Sequence, residues 1–81
     1  MQPISAQHVA VGQAIRQRRK ALGWTQDTLA EASGVTRNWI GSVELGKGNI
    51  SLTDLLGIAA ALDVAAAEIV AAADGSGSET V

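Results

Sequence analysis

At 81 residues the chain has room for one small domain with a thin stability margin. With no cysteine it can form neither a disulfide nor a thiolate metal site, and with no Phe or Tyr its core must use aliphatic side chains and two tryptophans. The formal net charge of −2 hides a segregation: residues 1–48 hold all six bases against three acids, whereas residues 49–81 hold five acids and no base. An acidic chain can therefore still present a basic half to a polyanion, while indiscriminate binding driven by net charge is disfavoured.

Apolar spacing of 3 to 4 residues predicts helices throughout and no strand. The first helix is expected from about Ala6 to Leu22, capped by Ser5, with Val11, Ile15 and Leu22 on its buried stripe and Gly23 as its stop. Thr25 caps a second helix, Asp27 suits its positive end, and Trp24 and Leu29 stand at the staple positions on either side of the cap. Gly34 should end that helix in the left-handed conformation. Thr36 caps a third helix that stops before Gly46, and "GKGN" is a turn.

Ser51 with Asp54 makes an approximate capping box for a fourth helix, whose stripe is Leu52, Leu55, Leu56, Ala59 and Leu62. The fifth, near Ala66–Ala73, is rich in alanine, with Ile69 and Val70 as its large side chains. Residues 74–81, small and polar, are expected to be a flexible tail beyond a domain of residues 1–73.

No apolar run approaches the roughly 20 residues that span a bilayer, and the start "MQPISAQHV" lacks the layout of a signal peptide, so a cytoplasmic location is expected. Catalysis is not expected. The single His8 stands near the N-terminus, and the sequence shows no nucleophile–base pair, phosphate loop or metal spacing. "GSGSE" has glycines but lies in the polar tail, without the strand and helix a phosphate loop needs. No cofactor or metal is implied.

The short link "SGVT" between the second and third helices holds them at a steep angle, the geometry of a helix-turn-helix. Ala30 is small where the pair should approach closely, and Val35, Ile40 and Val43 fall on its inward side. With "GWTQDTLAEASGV" and "VELGKGNISLTDLLGIAAALDV" in place, residues 9–73 resemble the XRE family, the Cro/C1-type phage-repressor helix-turn-helix proteins. That resemblance implies an all-α, compact five-helix bundle that binds operator DNA, usually as a homodimer, as a bacterial or phage regulator of transcription, in most cases a repressor.

It also implies residue roles. Arg37, Asn38 and Ser42 match positions facing base edges; Arg suits guanine and Asn adenine, each pair giving about 1–3 kcal/mol of discrimination. Gln26 matches a glutamine that bonds a phosphate and braces the third helix, which its amide can do with a donor and an acceptor. Lys47 and Asn49 match phosphate-contacting loop positions, and Thr36 also stands on the backbone-facing side. Arg19 and Glu44 match a structural ion pair between the first helix and the end of the third. Arg16, Arg18 and Lys20 are either a solvated basic face or the source of one further phosphate contact.

Some positions stay open or depart from the pattern. The Trp39 indole either lies over a sugar with its N–H on a phosphate or covers the flank of the bundle. Gly41, which costs a helix about 1 kcal/mol relative to Ala, is read as letting the backbone lie close to DNA. Ile69 and Val70 are candidates for dimerisation or for closing the domain's own core. Arg18 stands where the family often has an apolar residue, Asp63 where a helix-ending glycine is usual, and Ala65 where a Ser or Thr cap is common. The alternative to a DNA-binding regulator is an antitoxin-type module that binds a toxin or another protein, with DNA binding secondary.

Overall fold

The computed structural model describes residues 6–74, and these form five helices: α1 (Ala6–Ala21), α2 (Gln26–Ser33), α3 (Arg37–Glu44), α4 (Leu52–Ala61) and α5 (Ala66–Asp74). The expected cap at Ser5 and the expected tail over 75–81 lie outside the described residues. Asp74, placed with that tail by composition, is the last residue of α5.

The helix starts follow from side-chain chemistry. Thr25, Thr36 and Ser51 sit in extended backbone, and their hydroxyl oxygens accept from the amides of Thr28, Trp39 and Asp54, which satisfies a donor that each first turn leaves unpaired. Gly34 ends α2 at φ 77° and donates its N–H to the Ala30 carbonyl. Asp63 ends α4 in the same left-handed region, φ 61°, filling the role usual for glycine; Asp tolerates it better than most residues. Ala65 offers no side-chain acceptor to α5, which starts with Glu68 near its positive end instead.

In the bundle α1 packs on α3 and α5, α2 on α3 and α4, and α4 on α5. The axes of α4 and α5 meet at 107°. Ile15, Leu29, Ile40, Val43, Leu55, Ile58, Ala59, Leu62 and Ile69 make one core to which every helix contributes. Among the described residues no single helix is long and apolar enough to cross a membrane.

The core corrects two expectations, for Leu22 and for the α4 stripe, and separates Ile69 from Val70. Leu22 is exposed, because α1 has already ended at Ala21 and the chain turns away from the core after it. Leu52 and Leu56 also face outward. The α4 stripe turns instead through Leu55, Ile58, Ala59 and Leu62, since α2 and α5 cover that side. Ile69 is 4% exposed and Val70 48%, so Ile69 closes the domain's own core and only Val70 is presented outward.

Arg18, where an apolar residue is common, donates from Nε to the Leu62 carbonyl at 3.2 Å. A guanidinium there satisfies an end carbonyl of α4 and complements its negative terminus. A close helix contact is made by Gly12 on α1. A Cβ built there would lie 1.9 Å from the Val43 carbonyl oxygen, so α1 meets the end of α3 backbone to backbone.

Candidate nucleic-acid interface

The position of α3 is set by a polar cluster at its C-terminal end. Arg19 on α1 donates from Nε to Glu44 Oε2 at 2.6 Å and from Nη2 to Oε1 at 2.8 Å. Its Nη1 donates to the Trp24 carbonyl at 2.8 Å, so one guanidinium joins α1, the α1–α2 turn and α3. The pair is buried, with 9% and 3% of the two side chains exposed. The hydrogen bond to Glu44 raises the already high pKa of Arg19 and outweighs the lowering by burial, so its charge is fixed at every physiological pH. Gln26 Nε2 adds a 3.1 Å hydrogen bond to Glu44 Oε1 and brings α2 into the cluster. No buried side-chain nitrogen or oxygen among the described residues lacks a partner.

With its inner end held, α3 turns its first residues outward. Arg37 and Asn38 are exposed, and Ser42 is half-buried. Arg37 does not project freely: its Nε lies 3.2 Å from Asp27 Oδ1 on α2, in a pair with 59% and 75% of the side chains exposed. The pairing engages Nε, so the two terminal nitrogens of the fork remain for an outside acceptor. Arg16, Lys20, Gln26, Asp27 and Arg37 line one open cleft between α1, α2 and α3, which gives the ambiguous bases of α1 a common surface with Gln26 and Arg37. Thr36 is exposed just before α3 and Lys47 and Asn49 in the loop after it, and the Asn49 side-chain oxygen Oδ1 lies 3.0 Å from His8 Nε2. Lys47 donates its backbone N–H to the Ser42 carbonyl, which ties the following loop to α3.

Two further residues of α3 make contacts inside the domain. The Trp39 indole N–H is not turned outward to a phosphate; Nε1 donates to Asp54 Oδ2 on α4 at 3.0 Å, and the half-buried ring covers the flank of the bundle. Gly41 does not open only toward a groove. A Cβ there would lie 3.7 Å from Gln26 Oε1, an ordinary contact, so the residue faces the α2 brace. Spacing alone shows Asp27 as a dipole partner and Asp54 as a cap, and both carry a second contact to a residue of α3. Gly12 carries no local signal at all, because its constraint comes from a backbone 31 positions away.

This arrangement has known counterparts. The profile of the helix-turn-helix family (HTH_3) matches residues 15–69. An uncharacterised transcriptional regulator from the ATPase CF(0) region of Rhodospirillum rubrum is 48% identical over 54 residues, which are 67% of this chain and 50% of that protein. The chain spans about half the length of the curated relatives it matches. Among solved structures, the restriction-modification controller protein C.AhdI from Aeromonas hydrophila superposes with a TM-score of 0.78 at 43% identity, covering 80% of this chain and 98% of that one. SinR, a master regulator for biofilm formation solved in complex with DNA, gives 0.70 at 35% identity, covering 73% and 95%.

Proposed function

Because the chain belongs to the helix-turn-helix family of XRE type, we propose that it regulates transcription by binding duplex DNA sequence-specifically, with α3 in the major groove and α2 braced on the backbone. The observation that carries this is the division of α3 into a buried, bidentately held C-terminal end and an exposed N-terminal end bearing Arg37 and Asn38. A rigid scaffold that presents a few polar side chains is what base readout requires. Arg37, Asn38 and Ser42 face base edges; Gln26, Thr36, Lys47 and Asn49 meet the backbone. The curated relatives are described as a transcriptional regulator and a hypothetical transcription factor, which favours this reading over a module whose main partner is a protein.

The protein acts in the cytoplasm as a repressor and binds as a homodimer through a surface that includes Val70. Catalysis has no part in this reading. Dimerisation is tested by Val70→Asp, which should lower the mass seen by light scattering without unfolding the domain; an unchanged mass excludes that surface. Ile69→Asp is unsuitable, since it would bury a charge in the core.

Selection of bound sites from random duplexes tests the main reading. It should return a short half-site repeated at about one helical turn, 10–10.5 base pairs, with binding that weakens as salt rises. Failure to enrich any sequence, or an affinity indifferent to salt, overturns it.

A further inference from the structure

The loop between α3 and α4 places two polar residues, Lys47 and Asn49, on either side of a buried glycine. Gly48 lies against the far edge of the Trp39 six-membered ring: a Cβ there would come within 2.9 Å of Cη2, 3.1 Å of Cζ3 and 3.2 Å of Val43 Cγ2. The five-membered ring of the same indole is held by the 3.0 Å hydrogen bond from Nε1 to Asp54 Oδ2. Asp54 is itself fixed in the first turn of α4, where its amide donates to the Ser51 hydroxyl. One rigid side chain thus spans the loop, bonded to α4 at one edge and forming the wall for Gly48 at the other.

We propose that Trp39, held in place by Asp54, is a positioning residue for the phosphate-facing loop and makes no direct contact with DNA through its N–H. Seating Gly48 on the indole fixes where the chain turns and therefore where Lys47 and Asn49 leave the surface. The chemistry of Asp54 supports this role. A carboxylate near a surface that meets phosphates opposes binding by charge, and fixing the indole supplies a compensating gain through preorganisation. The inference rests on the DNA-binding reading, and specifically on the loop meeting phosphates.

The test uses the full chain, a labelled duplex of mixed sequence and several KCl concentrations, at a temperature where circular dichroism shows each variant folded. Trp39→Phe gives up both the N–H and, with its shorter ring, the distal edge that walls Gly48. Asp54→Ala removes the acceptor together with a negative charge. Each should weaken binding severalfold, with the slope of log K against log salt falling by about 0.9, one phosphate contact. The double variant should bind no worse than either single one, because both act through one hydrogen bond. Asp54→Asn keeps an acceptor oxygen and should restore binding.

Tighter binding by Asp54→Ala would show that Asp54 is only a repelling surface charge. Weakening by Trp39→Phe alone would show that the indole touches DNA itself. Either result, or additive losses in the double variant, overturns the proposal while leaving the DNA-binding reading intact. If Asp54→Ala does not fold, Trp39→Phe and Asp54→Asn decide: normal binding by the first, or weakened binding by the second, refutes the role. Absence of salt-dependent binding by the unaltered protein overturns the DNA-binding reading, and this proposal with it.

Discussion

Each end of α3 is tied to the rest of the molecule by an arginine paired with a carboxylate, yet the two pairs lie in opposite environments. At the C-terminal end Arg19 and Glu44 are buried, bidentate and joined by Gln26 and the Trp24 carbonyl. At the N-terminal end Arg37 and Asp27 meet in solvent through a single nitrogen. A buried pair with every valence met fixes orientation, because losing one member strands a charge where water cannot reach it. A solvated pair contributes little and exchanges easily for another partner. The same chemistry therefore anchors one end of the helix and leaves the other able to trade Asp27 for an outside acceptor.

The sharpest way to break this comparison is to remove one carboxylate at a time. Glu44→Ala should cost about 3–5 kcal/mol in urea unfolding, enough to abolish a marginal fold, by leaving Arg19 buried and unpaired. Asp27→Ala should cost no more than about 1 kcal/mol. Similar losses would mean that burial does not separate the two pairs. Gly12→Ala should rank next, destabilising by about 1–3 kcal/mol, since the methyl collides with the Val43 carbonyl and the contact is backbone to backbone. That collision exceeds the helix-propensity gain of about 1 kcal/mol.

Arg37→Ala acts on the open end. It should leave the thermal midpoint nearly unchanged and remove about 1–3 kcal/mol of discrimination at one base position, as measured by competition between matched and mismatched duplexes. Lys47→Ala should instead weaken all duplexes alike; a common pattern for both would refute the division into base-facing and backbone-facing residues. The smallest effect is expected at Gly41. There Ala meets only the Gln26 amide at ordinary distance and should raise stability by up to about 1 kcal/mol, with the opposite sign to Gly12→Ala.

The helix limits were legible in the sequence because they are local. Thr25, Thr36, Ser51, Gly34 and Asp63 each act on a backbone group a few residues away, and each sits where its chemistry requires. The Arg19–Glu44 pair was legible only through the resemblance, as two charges 25 positions apart carry no mark of pairing. What escaped is long-range and depends on which neighbour covers which side. Leu52 and Leu56 fit an apolar stripe as well as Ile58 does, until α2 and α5 select the other face. The hydrogen bond from Trp39 to Asp54 depends on where the loop brings the first turn of α4 beside α3, and the constraint on Gly12 on how closely α1 approaches the end of α3.

The unequal distribution of charge matters before any contact is made. Arg16, Lys20, Arg37 and Lys47 stand on α1, α3 and the loop after it, while Asp54, Asp63, Glu68 and Asp74 occupy α4, the turn after it and α5. With the two charge sets on different elements, the field of a polyanion attracts one set and repels the other, which favours some orientations of the molecule over others. If the partner is the duplex proposed above, rotational diffusion near it is biased toward encounters in which the basic residues lead. Screening shortens the reach of that bias to about 8 Å at physiological salt, so added salt should lower the fraction of encounters that arrive correctly turned.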